Sequence, residues 1–254
     1  MSLTIVPSRD QGNPLIPVSG DVGVGSFEPG VVTPAEFRRL PRQRLRAVAE
    51  LTGLSSTASD VLDELGFALA VSSDVLALRT GPARVVGQAL TIRYLPERRS
   101  SSHPDLRHTP SRLTHHAAFA VAQPGDVAVI EVGGMPAVSV LGGIGAQSAI
   151  RAGLAGCIVD GGIRDLEQIQ SMGLPVWART LTPRTGKWRV EAVAINQPVA
   201  CGGVQVHAGD LVIADETGLC FVPIAVAEVA IDRILEVTRQ EAEQLASSPH
   251  RPPA

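Results

Sequence analysis

The chain has 254 residues, 44% apolar and only 3% aromatic, with 22 Lys and Arg against 25 Asp and Glu for a formal net charge of −3. That length and apolar share are ample for a buried core. The near balance of charge, with no basic cluster interleaved with aromatics, leaves no footprint for a phosphate backbone, and no run approaches the roughly 20 apolar residues of a membrane-spanning helix. Met1-Ser2-Leu3-Thr4 lacks the basic and apolar runs of a secretory leader. The expectation is a cytoplasmic protein that engages neither nucleic acid nor membrane directly. Cys157, Cys201 and Cys220 are few, odd in number and set among apolar or glycine residues. They read as small buried hydrophobes in a reducing compartment, not as disulfides, zinc ligands or nucleophiles.

Residues 1–30 carry several Pro and Gly without periodicity and read as an extended arm. A helical pattern starts at Thr33 as N-cap with Pro34 in the first turn; Pro41 breaks or kinks it before it resumes through Leu45 to Leu51. Residues 57–66 predict a second helix, capped by Thr57 and ended by Gly66. The period then shortens to two over 83–94, a strand interrupted at Gly87. Beyond a polar stretch at 97–112, whose Arg98, Arg99, Arg107 and Arg112 read as a solvated insertion, the pattern predicts a helix over 113–122. A Pro124-Gly125-Asp126 turn and a buried strand at 127–132 follow.

After Gly133-Gly134 comes the apolar run 137–141. Gly142-Gly143-Ile144-Gly145 then opens a helix that reaches Ala152, and the chain returns as the strand Cys157-Ile158-Val159-Asp160, a β-α-β passage. A helix N-terminus made of bare glycine is a ready place for a carboxylate or phosphate, because its unpaired N–H groups and the helix dipole face outward. The last third holds short strands at 175–178, 189–195, 198–199, 204–206, 211–214 and 219–222, then a closing helix at about 225–245. The organisation expected is an arm over 1–30, one α/β domain over 31–246 and a tail over 247–254.

Asp160-Gly161-Gly162-Ile163-Arg164-Asp165, preceded by Gly153-Leu154-Ala155-Gly156-Cys157-Ile158-Val159, resembles the GxxGxVxDGxxRD core of the RraA-like and 4-hydroxy-4-methyl-2-oxoglutarate aldolase superfamily. The segments 59–66, 85–93, 123–127, 173–176 and 209–215 agree with it in order, so the resemblance covers roughly residues 55–240. It implies a layered α/β sandwich with a central β-sheet core and flanking helices, assembled as a homotrimer or hexamer with sites at subunit boundaries. It also implies a divalent-metal lyase, aldolase or decarboxylase, acting on a small oxo acid through a pyruvate enolate. Arg164 would meet the pyruvoyl oxygens, Asp165 would hold Mg²⁺ or Mn²⁺ largely through waters, and the amides at Gly142, Gly143, Ile144 and Gly145 would take a substrate carboxylate. These residue types suit that chemistry: an enolate needs positive charge as it develops, Arg meets a carboxylate with parallel N–H bonds, and Mg²⁺ takes hard oxygens while keeping water. Read from the residues alone, an Arg-Asp pair at a strand end is an ion pair, and Asp160, Asp210 and Asp215 serve turns.

The sequence departs from the family at one point. The aldolases carry an acid just before the glycine-loop helix, and Gly143 stands there; residues 132–159 contain no Asp or Glu. Glu131, His115 and His116 are the nearest replacements. Three functions therefore compete: a lyase of altered substrate, a non-catalytic regulatory binding protein of the ribonuclease-inhibitor type, and a diverged enzyme of specialised metabolism using the same pocket. An exposed partner-binding strip favours the second, and a closed polar pocket around Arg164 the other two.

Overall fold

A computed structural model describes residues 31–247 apart from 35, 83, 99–110, 114 and 136; the expected arm, most of the 97–112 stretch and the tail beyond 247 lie outside the described residues. In chain order the elements are α1 (Arg42–Ala49), α2 (Leu54–Glu64), β1 (Ala70–Ser72), β2 (Leu78–Thr80), β3 (Val85–Pro96), α3 (His115–Phe119), β4 (Val127–Val132), β5 (Ser139–Leu141), α4 (Gly143–Arg151) and β6 (Gly156–Ile163). There follow α5 (Leu166–Met172), β7 (Val176–Leu181), β8 (Val190–Ile195), β9 (Val199–Cys201), β10 (Val204–Val206), β11 (Leu211–Ala214), β12 (Gly218–Val222) and α6 (Ala227–Ser247). None of the described helices is long and apolar enough to cross a membrane.

The fold is α/β, a mixed, curled sheet flanked by helices. Ten strands run in the order β1-β12-β11-β3-β4-β6-β7-β2, with β5 beside β6 and β8 beside β3. β3 is the strand around which the sheet turns. Its first residues pair antiparallel with β11, Val85 opposite Ala214. From Ala89 onward it pairs in parallel with β4, and its far end takes β8 antiparallel, with a bulge at Arg93/Tyr94. β3, β4, β6 and β7 are all parallel, so their carboxyl ends lie along one edge. Alternation along these strands feeds separate cores. Ile130 and Val159 pack under α3 to α5 with Phe119 and Ile169, whereas Val129, Ile158 and Trp177 face Val212 and Phe221 inside the curl. A third core joins Ile213 and Val222 to Val48, Leu62 and Ile234 of the outer helices.

Several boundaries differ from expectation because distant residues supply the hydrogen bonds or the space. Residues 33–40 are not helical: Thr33 N–H donates to the Ile195 carbonyl (3.0 Å) and Leu40 N–H to Gln88 Oε1 (2.9 Å), and the helix begins after Pro41, which disfavours helical backbone at the residue before it. α2 begins at Leu54, ahead of Thr57, because Asp215 caps it from afar: the Ser55 amide donates to its Oδ2 (2.8 Å) and the Ser55 hydroxyl to its Oδ1 (2.6 Å). Gly87 does not interrupt β3. A side chain there would collide with the Gly125 carbonyl, so glycine permits close approach of the next turn.

Asp160 does not serve its own turn, since β6 continues through both glycines to Ile163. It pairs with Arg179 and accepts the Gly202 amide (2.8 Å), beside Glu131, which pairs with Arg93 (2.8 Å) and accepts the Ala200 amide (3.0 Å). This row of charges across neighbouring strands pins the β9-β10 hairpin onto the sheet. Asp210 does hold a turn, accepting the His207 and Ile224 amides. Asp215 accepts Thr217 N–H (2.9 Å) in its own turn as well as capping α2.

Candidate functional site

Two strand-to-helix turns meet at the carboxyl edge of the parallel strands, the usual ligand position in open α/β sheets. β5 lies beside β6 with Leu141 opposite Ile163, and Arg164 N–H donates to the Leu141 carbonyl at 3.0 Å. The Gly142 turn that opens α4 therefore touches the Arg164-Asp165 turn that opens α5. Asp165 adopts left-handed backbone, φ 57° and ψ 41°, and makes no side-chain cap on its own helix. Its carboxylate instead reaches α4, where Oδ2 accepts the Gly143 amide hydrogen at 3.0 Å.

The glycines make that approach possible. A Cβ on Gly142 would stand 2.6 Å from Asp165 Oδ2 and 3.0 Å from Arg164 Cγ and Nε; one on Gly143 would collide with the Gln168 carboxamide. On the inner side a Cβ on Gly145 would stand 2.8 Å from His115 Nε2. Ile144 points outward, 66% exposed, at the rim.

Arg164 Nε lies 3.5 Å from Asp165 Oδ2, with the two side chains 37% and 40% exposed. The terminal guanidinium nitrogens and Asp165 Oδ1 have no partner among the described residues. The arrangement thus presents an open guanidinium, one open carboxylate oxygen and the first-turn amides of Ile144 and Gly145, which a helix leaves without internal acceptors. It can receive a carboxylate or an oxo oxygen.

Of the replacements for an acid at 143, Glu131 is committed to Arg93 and the Ala200 amide. His115 is 5% exposed and packs on Phe119 with ring centroids 5.7 Å apart, so it belongs to the helix layer. The His116 side chain lies outside the described residues. Among the described residues no group of three or more His, Cys, Asp and Glu is placed to hold a metal. Asp165 Oδ1 remains as one hard oxygen, so a Mg²⁺ or Mn²⁺ here would have to fill its other positions with waters and ligand oxygens. The three cysteines are free and buried, and burial pushes Cys157 and Cys220 up to about 12 and Cys201 higher still.

Gln168, whose carboxamide lies where a side chain on Gly143 would stand, was not singled out from the sequence. Its position three residues after Asp165 on α5 was the available signal, since residues three apart share a helix face. A separate cleft of about 420 Å³ lies at the opposite, amino edge of the strands near Arg42, Arg46 and Pro124, and its polar floor is already satisfied: Gln88 and Asp126 bond to protein partners.

Comparison with known proteins agrees with the motif. A family profile described as RraA-like, Aldolase/RraA, matches residues 55–221. The chain is 33% identical over 103 residues to 4-hydroxy-4-methyl-2-oxoglutarate aldolase of Thermus thermophilus, covering 39% of this chain and 60% of that protein. It is 27% identical over 172 residues to protein DlpA of Legionella pneumophila, covering 66% of this chain and 26% of that protein. The chain therefore spans about a quarter to three fifths of the length of these relatives. The crystal structure of Streptomyces coelicolor RraAS2, an unusual member of the RNase ES inhibitor RraA family, superposes with a TM-score of 0.67 at 29% identity, covering 82% of this chain and 98% of that one. With the family profile matched over most of its length and the ordered motifs in place, the chain belongs to the RraA-like, Aldolase/RraA family.

Proposed function

We propose that this chain is a carbon–carbon lyase of the aldolase or decarboxylase type, acting on a small 2-oxo acid at Arg164, Asp165 and the 142–145 turn within a homotrimer or hexamer. The observation that carries the reading is the open Arg164 guanidinium beside a carboxylate at the first turn of α4. In the cleavage of a 4-hydroxy-2-oxo acid, the 4-hydroxyl gives its proton to solvent water at this open site, the C3–C4 bond breaks, and its electron pair moves through C2 onto the oxo oxygen. The products are a carbonyl compound and the enolate of pyruvate, which takes a proton at C3. Arg164 holds the carboxylate and faces the oxygen where charge develops, while the amides of Ile144 and Gly145 orient the remaining carboxylate oxygen. Asp165 fixes the α4 terminus and presents Oδ1 to a Mg²⁺ or Mn²⁺, which when bound supplies further positive charge at the oxo oxygen.

The reading is tested by a coupled assay of pyruvate release from oxaloacetate and from 4-hydroxy-4-methyl-2-oxoglutarate, with Mg²⁺, Mn²⁺ or chelator, on wild type and Asp165→Ala. Metal-dependent turnover lost in the variant supports the lyase, and no turnover by wild type removes it. A second reading, a regulatory binding protein of the RraA ribonuclease-inhibitor type, draws on Gly143, which leaves the site one acid short, and on the open surface position of the pair. Binding to a ribonuclease E-type enzyme without oxo-acid turnover would favour it.

A further inference from the structure

We propose that Gln168 is a ligand-contacting residue of this site, presenting its carboxamide N–H to an oxygen of a dianionic oxo acid from the space that a side chain at 143 would fill. The proposal rests on the reading of Arg164 and Asp165 as an oxo-acid site and adds how that site selects its ligand.

The geometry is specific to the two glycines. A Cβ on Gly142 would press on Asp165 and Arg164, and one on Gly143 on Gln168, whose Cδ is 3.1 Å from that position. Side chains from one turn of α5 and its approach therefore converge on the start of α4. The carboxamide is exposed and has no hydrogen-bond partner among the described residues, while the backbone carbonyl of Gln168 is occupied by the Ser171 hydroxyl. It stands next to the amide that Asp165 already holds. A half-turn of the carboxamide exchanges its oxygen and nitrogen, so it can face a ligand with a donor at little cost.

Charge decides what the carboxamide is good for. Arg164 and Asp165 cancel, and the α4 terminus adds partial positive charge. An acid at 168 would set a carboxylate against the ligand's own, whereas a neutral donor lets a ligand bearing two negative charges approach. One hydrogen bond from a neutral donor to a charged acceptor corresponds to about tenfold in affinity.

The experiment is calorimetric titration of the full chain with oxalate, a planar dianion shaped like the pyruvate enolate, in Mg²⁺ and in chelator. Wild type is compared with Arg164→Ala, Gln168→Ala and Gln168→Glu, each checked by thermal melting. The expected result is binding by wild type, loss of binding in Arg164→Ala, about tenfold weaker binding in Gln168→Ala, and a larger loss in the isosteric Gln168→Glu, all at an unchanged melting temperature. If both Gln168 variants bind within twofold of wild type while Arg164→Ala does not bind, the proposal is overturned and the oxo-acid site stands. If wild type fails to bind, or Arg164→Ala binds unchanged, both fall.

Discussion

Asp165 Oδ2 accepts the amide hydrogen of Gly143, 22 residues earlier in the chain, so the residue that opens one helix caps the start of another. This bond ties the Arg164 turn to the glycine turn. It gives Asp165 a structural role beside its proposed chemical one, and the two separate by substitution. Asp165→Asn keeps an acceptor and tolerates left-handed backbone, and should cost no more than about 1 kcal/mol. Asp165→Ala loses the acceptor and places an ordinary side chain at φ 57°, and should cost about 2 kcal/mol. Asp165→Gly should fall between them, because it restores the backbone freedom alone. Urea unfolding of the three variants reads this order.

The adjacent glycines should respond differently to the same added methyl group. At Gly142 it meets Asp165 and Arg164 at 2.6 to 3.0 Å, so Gly142→Ala should drive the pair apart and abolish oxo-acid binding. At Gly143 it meets the end of a flexible glutamine, which can swing away, so Gly143→Ala should melt within about 2 °C of wild type, a shift equivalent to less than 1 kcal/mol. Equal binding by Gly142→Ala and wild type would show that the glycine is not there to admit the pair.

Two buried carboxylates should act oppositely on acid stability. Burial pushes Asp215 up, but the Ser55 hydroxyl and amide and the Thr217 and Gly218 amides outweigh it and hold the carboxyl below its ordinary 3.8. A depressed folded value contributes stability that is full above pH 3.8 and lost as pH falls through the folded value. Asp210 is raised by burial, which exceeds the opposing His207 and Ile224 amides, so its charged form costs stability and acid relieves that cost. Asp215→Asn should therefore lose about 1 to 3 kcal/mol at neutral pH and flatten the fall of stability below pH 4, whereas Asp210→Asn should steepen it. Denaturant titrations from pH 3 to 7 test both signs.

The cysteines should be silent in the native state. With Cys157 and Cys220 at about 12, their thiolate fraction at pH 8 is about one in ten thousand. An aromatic disulfide reagent should find no fast thiol until the chain is unfolded, when all three react. A rapidly reacting native thiol would contradict the burial.

How much could be read in advance follows from where each signal resides. β4 and the start of β6 were legible because strands buried on both faces are continuous apolar runs. The 142–145 turn and Arg164-Asp165 were legible from glycine punctuation and an ordered motif. β1 and β2, three residues each, carry too little pattern to show. The α2 start was hidden because its cap, Asp215, lies 160 residues away. Asp160 looked like a turn residue because its partner, Arg179, is supplied by the next parallel strand. Gln168 matters only once α5 is laid against α4.

A site that stabilises the enolate of pyruvate exchanges the pyruvate methyl hydrogens with D₂O, which proton NMR follows with Mg²⁺ present. Exchange well above the uncatalysed rate is expected for wild type, and none above it for a folded Arg164→Ala. Pyruvate that binds wild type without exchanging, or exchange that survives in Arg164→Ala, would contradict enolate stabilisation at this site.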